Sequence, residues 1–345
     1  MLDDNTVFNL FLLGCSFVFT VAGITIYRRL AIKFDIVAKK NHRTLHSDEV
    51  PKGSGIVLSI VYIILVYIVW LQDLISNDLM VVICAGGLCA TLFGFIDDVI
   101  NVSAIIKLLV QVFLTTFIVL WLGQAPILLS ATQSPVDTGF IGIILAIGIL
   151  VWLINLYNFM DGVDGMAASG TIFISTVIAM ILFFIEGNSP IALLFALFAV
   201  TCLGFLLFNW PPASIFMGDA GSVFIGYVFG VFIIYTMMHG DISIWTWLIV
   251  FGYFGIDTTV TLLSRIVLVK KWYGAHRSHA YQNLARVWGS HRKILCSVIA
   301  YHLLWLFPLA VLSAIYNQYQ EILCLFAISP VILWTLKYGP IFSSD

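Results

Sequence analysis

Four short stretches gather the side chains that could do chemistry. In Gly94-Phe95-Ile96-Asp97-Asp98-Val99 an apolar run ends in two adjacent carboxylates. Like charges side by side raise each other's pKa unless a cation is near, and Lys107, nine residues past Asp98, can supply one. The bland alternative is a helix-end pair facing water. In Asn155-Leu156-Tyr157-Asn158-Phe159-Met160-Asp161-Gly162-Val163-Asp164-Gly165, an amide or carboxylate recurs at every third position: Asn155, Asn158, Asp161 and Asp164. Residues three apart are neighbours on a helix, so these four predict one slowly winding polar ribbon. Gly162 and Gly165 let the backbone leave the helix and approach a ligand closely.

The third stretch runs Asn209-Trp210-Pro211-Pro212-Ala213-Ser214-Ile215-Phe216-Met217-Gly218-Asp219-Ala220-Gly221-Ser222. Its prolines force a loop, after which a new apolar segment opens at Asp219. A carboxylate beside free helix N-terminal amides suits a Mg²⁺–pyrophosphate. Ordinary N-capping is the competing role for Asp219, but it leaves Asn209 and Phe216 without a reason. The fourth stretch, Gly274-Ala275-His276-Arg277-Ser278-His279-Ala280-Tyr281-Gln282, interleaves His and Arg as phosphate oxygens require. Its spacing is not that of a zinc protease motif, and taken alone it reads equally as a basic loop on anionic lipid. Together the four supply acids for a metal, a lysine, and His/Arg for phosphate. That set implies phosphoryl transfer, which needs mainly positioning and charge neutralisation.

Such residues need rigid elements to bring them together, and composition says which. Of 345 residues, 61% are hydrophobic and 10% charged, far from a soluble domain, so the bilayer is the solvent. Apolar runs of about 20 residues can span it. They fall at 7–27, 54–71, 79–96, 105–122, 139–156, 167–185, 191–208, 221–238, 243–264, 294–316 and 321–337. The expectation is an all-α polytopic membrane protein of about eleven transmembrane helices, one domain over 1–345, without internal repeats. The segment 123–138, with Pro126, Pro135 and Asp137, reads as an external loop. Asp3 and Asp4, where a secretory signal carries lysines, predict that the first apolar run is retained. The six cysteines form no CxxC pair and read as small apolar residues.

Charge gives the orientation. Seven of the sixteen Lys and Arg residues lie between Arg28 and Lys52 and seven between Arg265 and Lys293, with Lys107 and Lys337 besides. With the N-terminus outside, eleven crossings put all of them, and the C-terminus, in the cytoplasm. The external turns then carry Asp73, Asp78, Asp137, Glu186 and Asp241. The loops 28–53, 97–104, 156–166, 209–220 and 265–293 share the cytoplasmic face, where an active site would form.

GFIDDV (94–99), NLYNFMDGVDG (155–165), FNWPPASIFMGDAGS (208–222) and HRSHAYQ (276–282), in that order, resemble the polyprenyl-phosphate N-acetylhexosamine-1-phosphate transferases. The likeness runs from about Arg43 to Gln282. It implies a bacterial inner-membrane enzyme that moves a sugar 1-phosphate from a UDP-N-acetylhexosamine to undecaprenyl phosphate, with Mg²⁺ (or Mn²⁺) as cofactor. By the same resemblance, Asp219 is the principal metal ligand with Asn158 beside it. Asp97 or Asp98 deprotonates or orients the lipid phosphate, and Lys107, in a K-L-L-x-Q pattern, holds phosphate nearby. Asp164, Asn209 and Phe216 line the uridine pocket, while His276, Arg277 and His279 contact pyrophosphate and sugar. Asn155 and Asp161 complete the substrate-binding set. Arg43, His46 and Pro51-Lys52-Gly53-Ser54-Gly55 resemble the family's first cytoplasmic loop, with Ser54 where glycine is more usual. Asp257 and Arg265 match a recurring acid–arginine pair; about 12 Å apart along a helix, they are not expected to pair directly, and no chemistry is assigned to them.

The triple-histidine segment of the peptidoglycan enzyme is absent, which argues against a muramyl-pentapeptide donor. HRSHAYQ instead resembles the subgroup that starts O-antigen or capsule chains, often on 2-acetamido-6-deoxyhexoses. A homodimer is compatible with this reading; nucleic acid is not an expected partner. A transporter with a cytoplasm-facing acidic site is the main rival, but it would place its charges near the midplane on broken helices. A membrane scaffold would need no ordered acids at all.

Overall fold

Backbone amides in hydrocarbon must close their hydrogen bonds within the segment, so apolar runs of this length fold as helices. The computed structural model describes residues 4–38, 50–122, 139–268 and 278–339. Its helices are α1 (Asp4–Lys33), α2 (Gly55–Leu71), α3 (Asn77–Ile100), α4 (Ala104–Trp121), α5 (Gly139–Met160), α6 (Met166–Phe184) and α7 (Ser189–Asn209). They continue as α8 (Asp219–His239), α9 (Ile244–Val250), α10 (Gly252–Leu268), α11 (Ala280–Trp288), α12 (His291–Ile315) and α13 (Gln320–Tyr338). A two-residue antiparallel ladder pairs Val37–Ala38 with Val50–Pro51, leading into α2.

The protein is an all-α polytopic membrane protein, and each of the eleven apolar runs is helical. Among the described residues, nine helices are long and apolar enough to cross a bilayer, and α2 is a shorter apolar helix of 17 residues. The candidate span 243–264 is bent: α9 and α10 meet at an angle of 81°. Gly252 opens the second arm of that break, and glycine is among the recognised causes of sharp helix kinks. Helix α11 was not anticipated. The predicted external loop 123–138 lies outside the described residues, as do Arg43, His46, His276 and Arg277.

Helix α8 is the axis of the bundle. Of its most apolar stretch, 78% is buried inside the protein, against 22% for α1 and α13. Aromatic rings fill the space around it: Tyr157 stacks on Phe229 at 5.4 Å between centroids, and Phe229 meets Trp247 edge-on at 6.4 Å. Small residues let helices touch backbone to backbone, and two such contacts set the N-terminus of α8. A Cβ at Gly55 would overlap the backbone of Gly221, and one at Gly94 that of Asp219. Helices α2 and α3 therefore press against the first turn of α8.

The turns sort to two ends. At one, Asn188 donates to Asp241 at 2.9 Å, joining the α6–α7 and α8–α9 turns. At the other, the C-terminal ends of α3 and α5 meet the N-termini of α4 and α8. The acidic stretches singled out in the sequence converge on this second end.

Candidate active site

Helix α8 has no capping side chain of its own. Gly218 precedes it with φ +74°, a conformation that favours glycine, and a Cβ there would collide with the Asp98 carboxylate. The cap arrives from α3 instead. Asp98 accepts from the backbone N–H of Asp219 through Oδ1 and of Ala220 through Oδ2, both at 3.1 Å. A carboxylate on two orphan amides at a helix N-terminus is favoured by both hydrogen bonding and the helix dipole. Asp219 is thus capped rather than capping, and its side chain is left for other work.

That side chain lies between α4 and α5. Its Oδ2 is 3.0 Å from Lys107 Nζ, and its Oδ1 accepts from Asn158 Nδ2 at 2.7 Å. Asn158 also reaches Ser222 Oγ at 3.2 Å. Asp97, next in sequence to Asp98, turns a different way: it forms an ion pair with Lys107 and accepts from Val102 N at 2.7 Å. Lys107 therefore bridges Asp97 and Asp219, as the pairing expected of it requires.

The predicted polar ribbon is corrected in part. Helix α5 ends at Met160, so only Asn155 and Asn158 lie on it; Asp161 and Asp164 sit in the turn that follows, which closes at Gly165 with φ +74°. Asn155 exchanges amide hydrogen bonds with Gln111 of α4, at 2.7 and 3.4 Å, one turn deeper than Asn158. Asp164 is buried; it accepts from Ala213 N at 3.0 Å and stands 3.3 Å from His291 Nδ1. Asn209, also buried, accepts from Gly165 N at 2.8 Å and donates to the carbonyl of Ile215 at 2.9 Å. Asp164 and Asn209 thus fasten the 161–165 turn to the 210–218 loop.

Half-buried Asp161 faces Asp219, Asp98 and Asp164. Loss of water, and then the charge of those three neighbours, hold its carboxyl well above the usual carboxylate range, although the Gly218 amide opposes the shift. Negative charge here exceeds what Lys107 neutralises. Among the described residues no three of His, Cys, Asp and Glu form a closed cage. A hard divalent cation that takes one or two carboxylates and draws its other ligands from water and phosphate fits this surplus; a structural zinc site would not.

The loops around the acids are stitched together. Phe216, half-buried, donates its N–H to Pro51 O at 2.8 Å, and Ser54 Oγ donates to Phe216 O at 2.9 Å. Here lies the physical reason for a serine at position 54. Tyr281 of α11 donates to Phe159 O at 2.6 Å and accepts from Gly162 N at 3.2 Å. His279 is buried, its Nδ1 3.6 Å from Asp257 Oδ1. Ser222, Gln111, Tyr281 and His291 escaped the sequence reading as site residues. Ser222, Gln111 and Tyr281 stood inside quoted motifs, whereas His291 carried no local signal.

Comparison with known proteins agrees with this geometry. The profile of glycosyl transferase family 4 matches residues 79–237. A "Probable undecaprenyl-phosphate N-acetylglucosaminyl 1-phosphate transferase" of Bacillus subtilis is 29% identical over 79% of this chain and 76% of its own length. A "Decaprenyl-phosphate N-acetylglucosaminephosphotransferase" of Mycolicibacterium smegmatis is 32% identical over 59% of this chain and 54% of its own. A "Phospho-N-acetylmuramoyl-pentapeptide-transferase" of Streptococcus pneumoniae is 28% identical over 72% and 78%. The matched profile begins in α3 and ends in α8, enclosing Asp97, Asp98, Lys107, Asn158, Asp161 and Asp219. With its acids gathered at one end of such a bundle, the chain is similar over its central part to polyprenyl-phosphate N-acetylhexosamine-1-phosphate transferases.

Proposed function

We propose that this protein transfers an N-acetylhexosamine 1-phosphate from a UDP-sugar to undecaprenyl phosphate, releasing UMP. An oxygen of the lipid phosphate attacks the β-phosphorus of the donor. The bond from that phosphorus to the α–β bridging oxygen breaks, and the oxygen leaves with UMP. Asp97 orients the lipid phosphate and takes any proton it carries, with Lys107 balancing charge between Asp97 and Asp219. Asp219 and Asp161, with Asn158 beside them, would hold Mg²⁺ (Mn²⁺ serving in its place). The ion supplies charge neutralisation on the phosphates. Asp164, Asn209 and Phe216 shape the donor-nucleotide side, and His276, Arg277 and His279 serve the pyrophosphate and sugar.

One observation carries this reading: carboxylates from three separate stretches of the chain (Asp97 and Asp98, Asp161, and Asp219) gather at one end of an apolar bundle, where Lys107 pairs with Asp97 and Asp219. Two phosphate groups repel, and such a nest, loaded with a cation, lets them approach. The distribution of Lys and Arg supports placing that end in the cytoplasm of a bacterial inner membrane, with the N-terminus outside. The HRSHAYQ segment supports a donor of the O-antigen or capsule type. The test is transfer of label from UDP-[β-³²P]N-acetylhexosamines to undecaprenyl phosphate by membranes carrying the protein, with and without Mg²⁺. Cation-dependent labelled lipid together with UMP is expected; no labelled lipid from any of a panel of such donors would sink the proposal.

A further inference from the structure

Asp257 is the acid that the proposed chemistry leaves unused. It lies in α10, five residues past the bend, and is 1% exposed. A carboxylate inside a membrane protein is costly unless it is partnered, so its partners say what it is for. Oδ1 accepts from Ala280 N at 3.0 Å and from Thr261 Oγ1 at 3.2 Å, and Oδ2 accepts from Tyr281 N at 3.1 Å. These amides are the first two of α11, whose own N-cap residue, His279, makes no side-chain capping bond. Arg265, two turns along α10, adds a hydrogen bond to Ser278 Oγ at 3.3 Å. The arrangement repeats what Asp98 does for α8: a carboxylate from one helix caps another across the bundle.

Tyr281 continues the chain of contacts. Its backbone is held by Asp257, and its hydroxyl joins Phe159 O to Gly162 N, on either side of Asp161. Burial, Asp257 and Asp161 raise the pKa of that hydroxyl, so it stays a phenol and a donor. We propose that Asp257 is a positioning residue for the transfer. By capping α11 it fixes Tyr281, and Tyr281 braces the end of α5, which carries Asn158, and the turn after it, which carries Asp161. This rests on the function proposed above, and the donor side of the reaction is where its loss would be felt.

The experiment has two arms, both on the full-length protein in detergent or nanodiscs. In the first, amide hydrogen exchange is followed without substrate. Asp257→Ala is expected to speed exchange about tenfold both at 280–284 and at 159–165, leaving α7 unchanged. Tyr281→Phe should speed exchange at 159–165 only, because its backbone cap survives. In the second arm, KM for the UDP-sugar rises about tenfold in both variants while KM for undecaprenyl phosphate stays within about twofold. Asp257→Asn, keeping one acceptor, should fall between wild type and Asp257→Ala. Unchanged exchange at 280–284 in Asp257→Ala overturns the proposal, as does normal 159–165 exchange in Tyr281→Phe. A loss of kcat with both KM values unchanged would show a merely structural role and refute it. Should Asp257→Ala fail to insert, Asp257→Asn and Tyr281→Phe carry both arms. Should the wild type transfer nothing from UDP-sugars, the functional reading falls, and the exchange arm still decides the positioning claim.

Discussion

Adjacent in sequence, Asp97 and Asp98 should fail in different ways when altered. Asp98 spends both oxygens on the amides of Asp219 and Ala220. Asp98→Asn keeps one acceptor and loses the charge that favours a helix N-terminus. One hydrogen bond to a charged group is worth about 1.5–3 kcal/mol, which at about 1.4 kcal/mol per factor of ten corresponds to roughly ten- to hundredfold. That loss falls on the placement of Asp219, so it should appear as a raised requirement for divalent cation. Asp97→Asn leaves α8 capped; it should lower kcat by at least about tenfold and remove a limb of the pH–rate profile, with the cation requirement near normal. The assay is lipid-product formation against free Mg²⁺ at several pH values, with thermal unfolding in detergent as a control. If Asp98→Asn titrates with Mg²⁺ as the wild type does and instead loses the pH limb, the assignment is reversed. If both variants turn over at the wild-type rate, neither acid belongs to the mechanism.

Other perturbations probe the same nest from different sides. Gly218→Ala forces a side chain into the Asp98 carboxylate at a residue whose φ is +74°; a cation requirement raised like that of Asp98→Asn is expected, and unchanged Mg²⁺ titration would refute the trans-cap. Asp161 gives a pH dependence whose sign follows from its raised pKa. Below that pKa its proton must be displaced by an incoming cation and above it none need be, so Mn²⁺ affinity read by electron paramagnetic resonance should rise with pH through the transition. Asp161→Asn should flatten the curve; an equally steep curve would remove Asp161 from the cation site.

How much of this was legible in the sequence depended on the range of each interaction. Helices were legible because a membrane leaves the backbone no other choice, and each apolar run became one. The bend between α9 and α10 was not, since Gly252 by itself is tolerated in many helices and only tertiary packing decides whether it kinks. The ribbon through Asp164 failed for a local reason that was already visible: Gly162 and Gly165 ended the helix that the three-residue period had extended. Partners were illegible. Asp98 and Asp219 are 121 residues apart, Asp257 and Tyr281 are 24 apart, and no period in the chain connects either pair.

The acid pair shows why partner geometry, rather than motif, has to assign roles. On an α-helix consecutive side chains diverge by about 100°, so two adjacent carboxylates at a helix end reach different groups. Here one turns to Lys107 and the other to the first amides of α8. A carboxylate with both oxygens committed to backbone donors has neither free to meet the lipid phosphate, whereas one paired with a lysine can exchange that partner for a phosphate. The division of labour therefore follows from helix geometry once α8 is placed, and α8 is placed by Gly55 and Gly94, which admit its backbone. The glycine at 94 and the acids at 97 and 98 form a single device: close approach brings the helix end within reach, and the second acid holds it there so that the first can act.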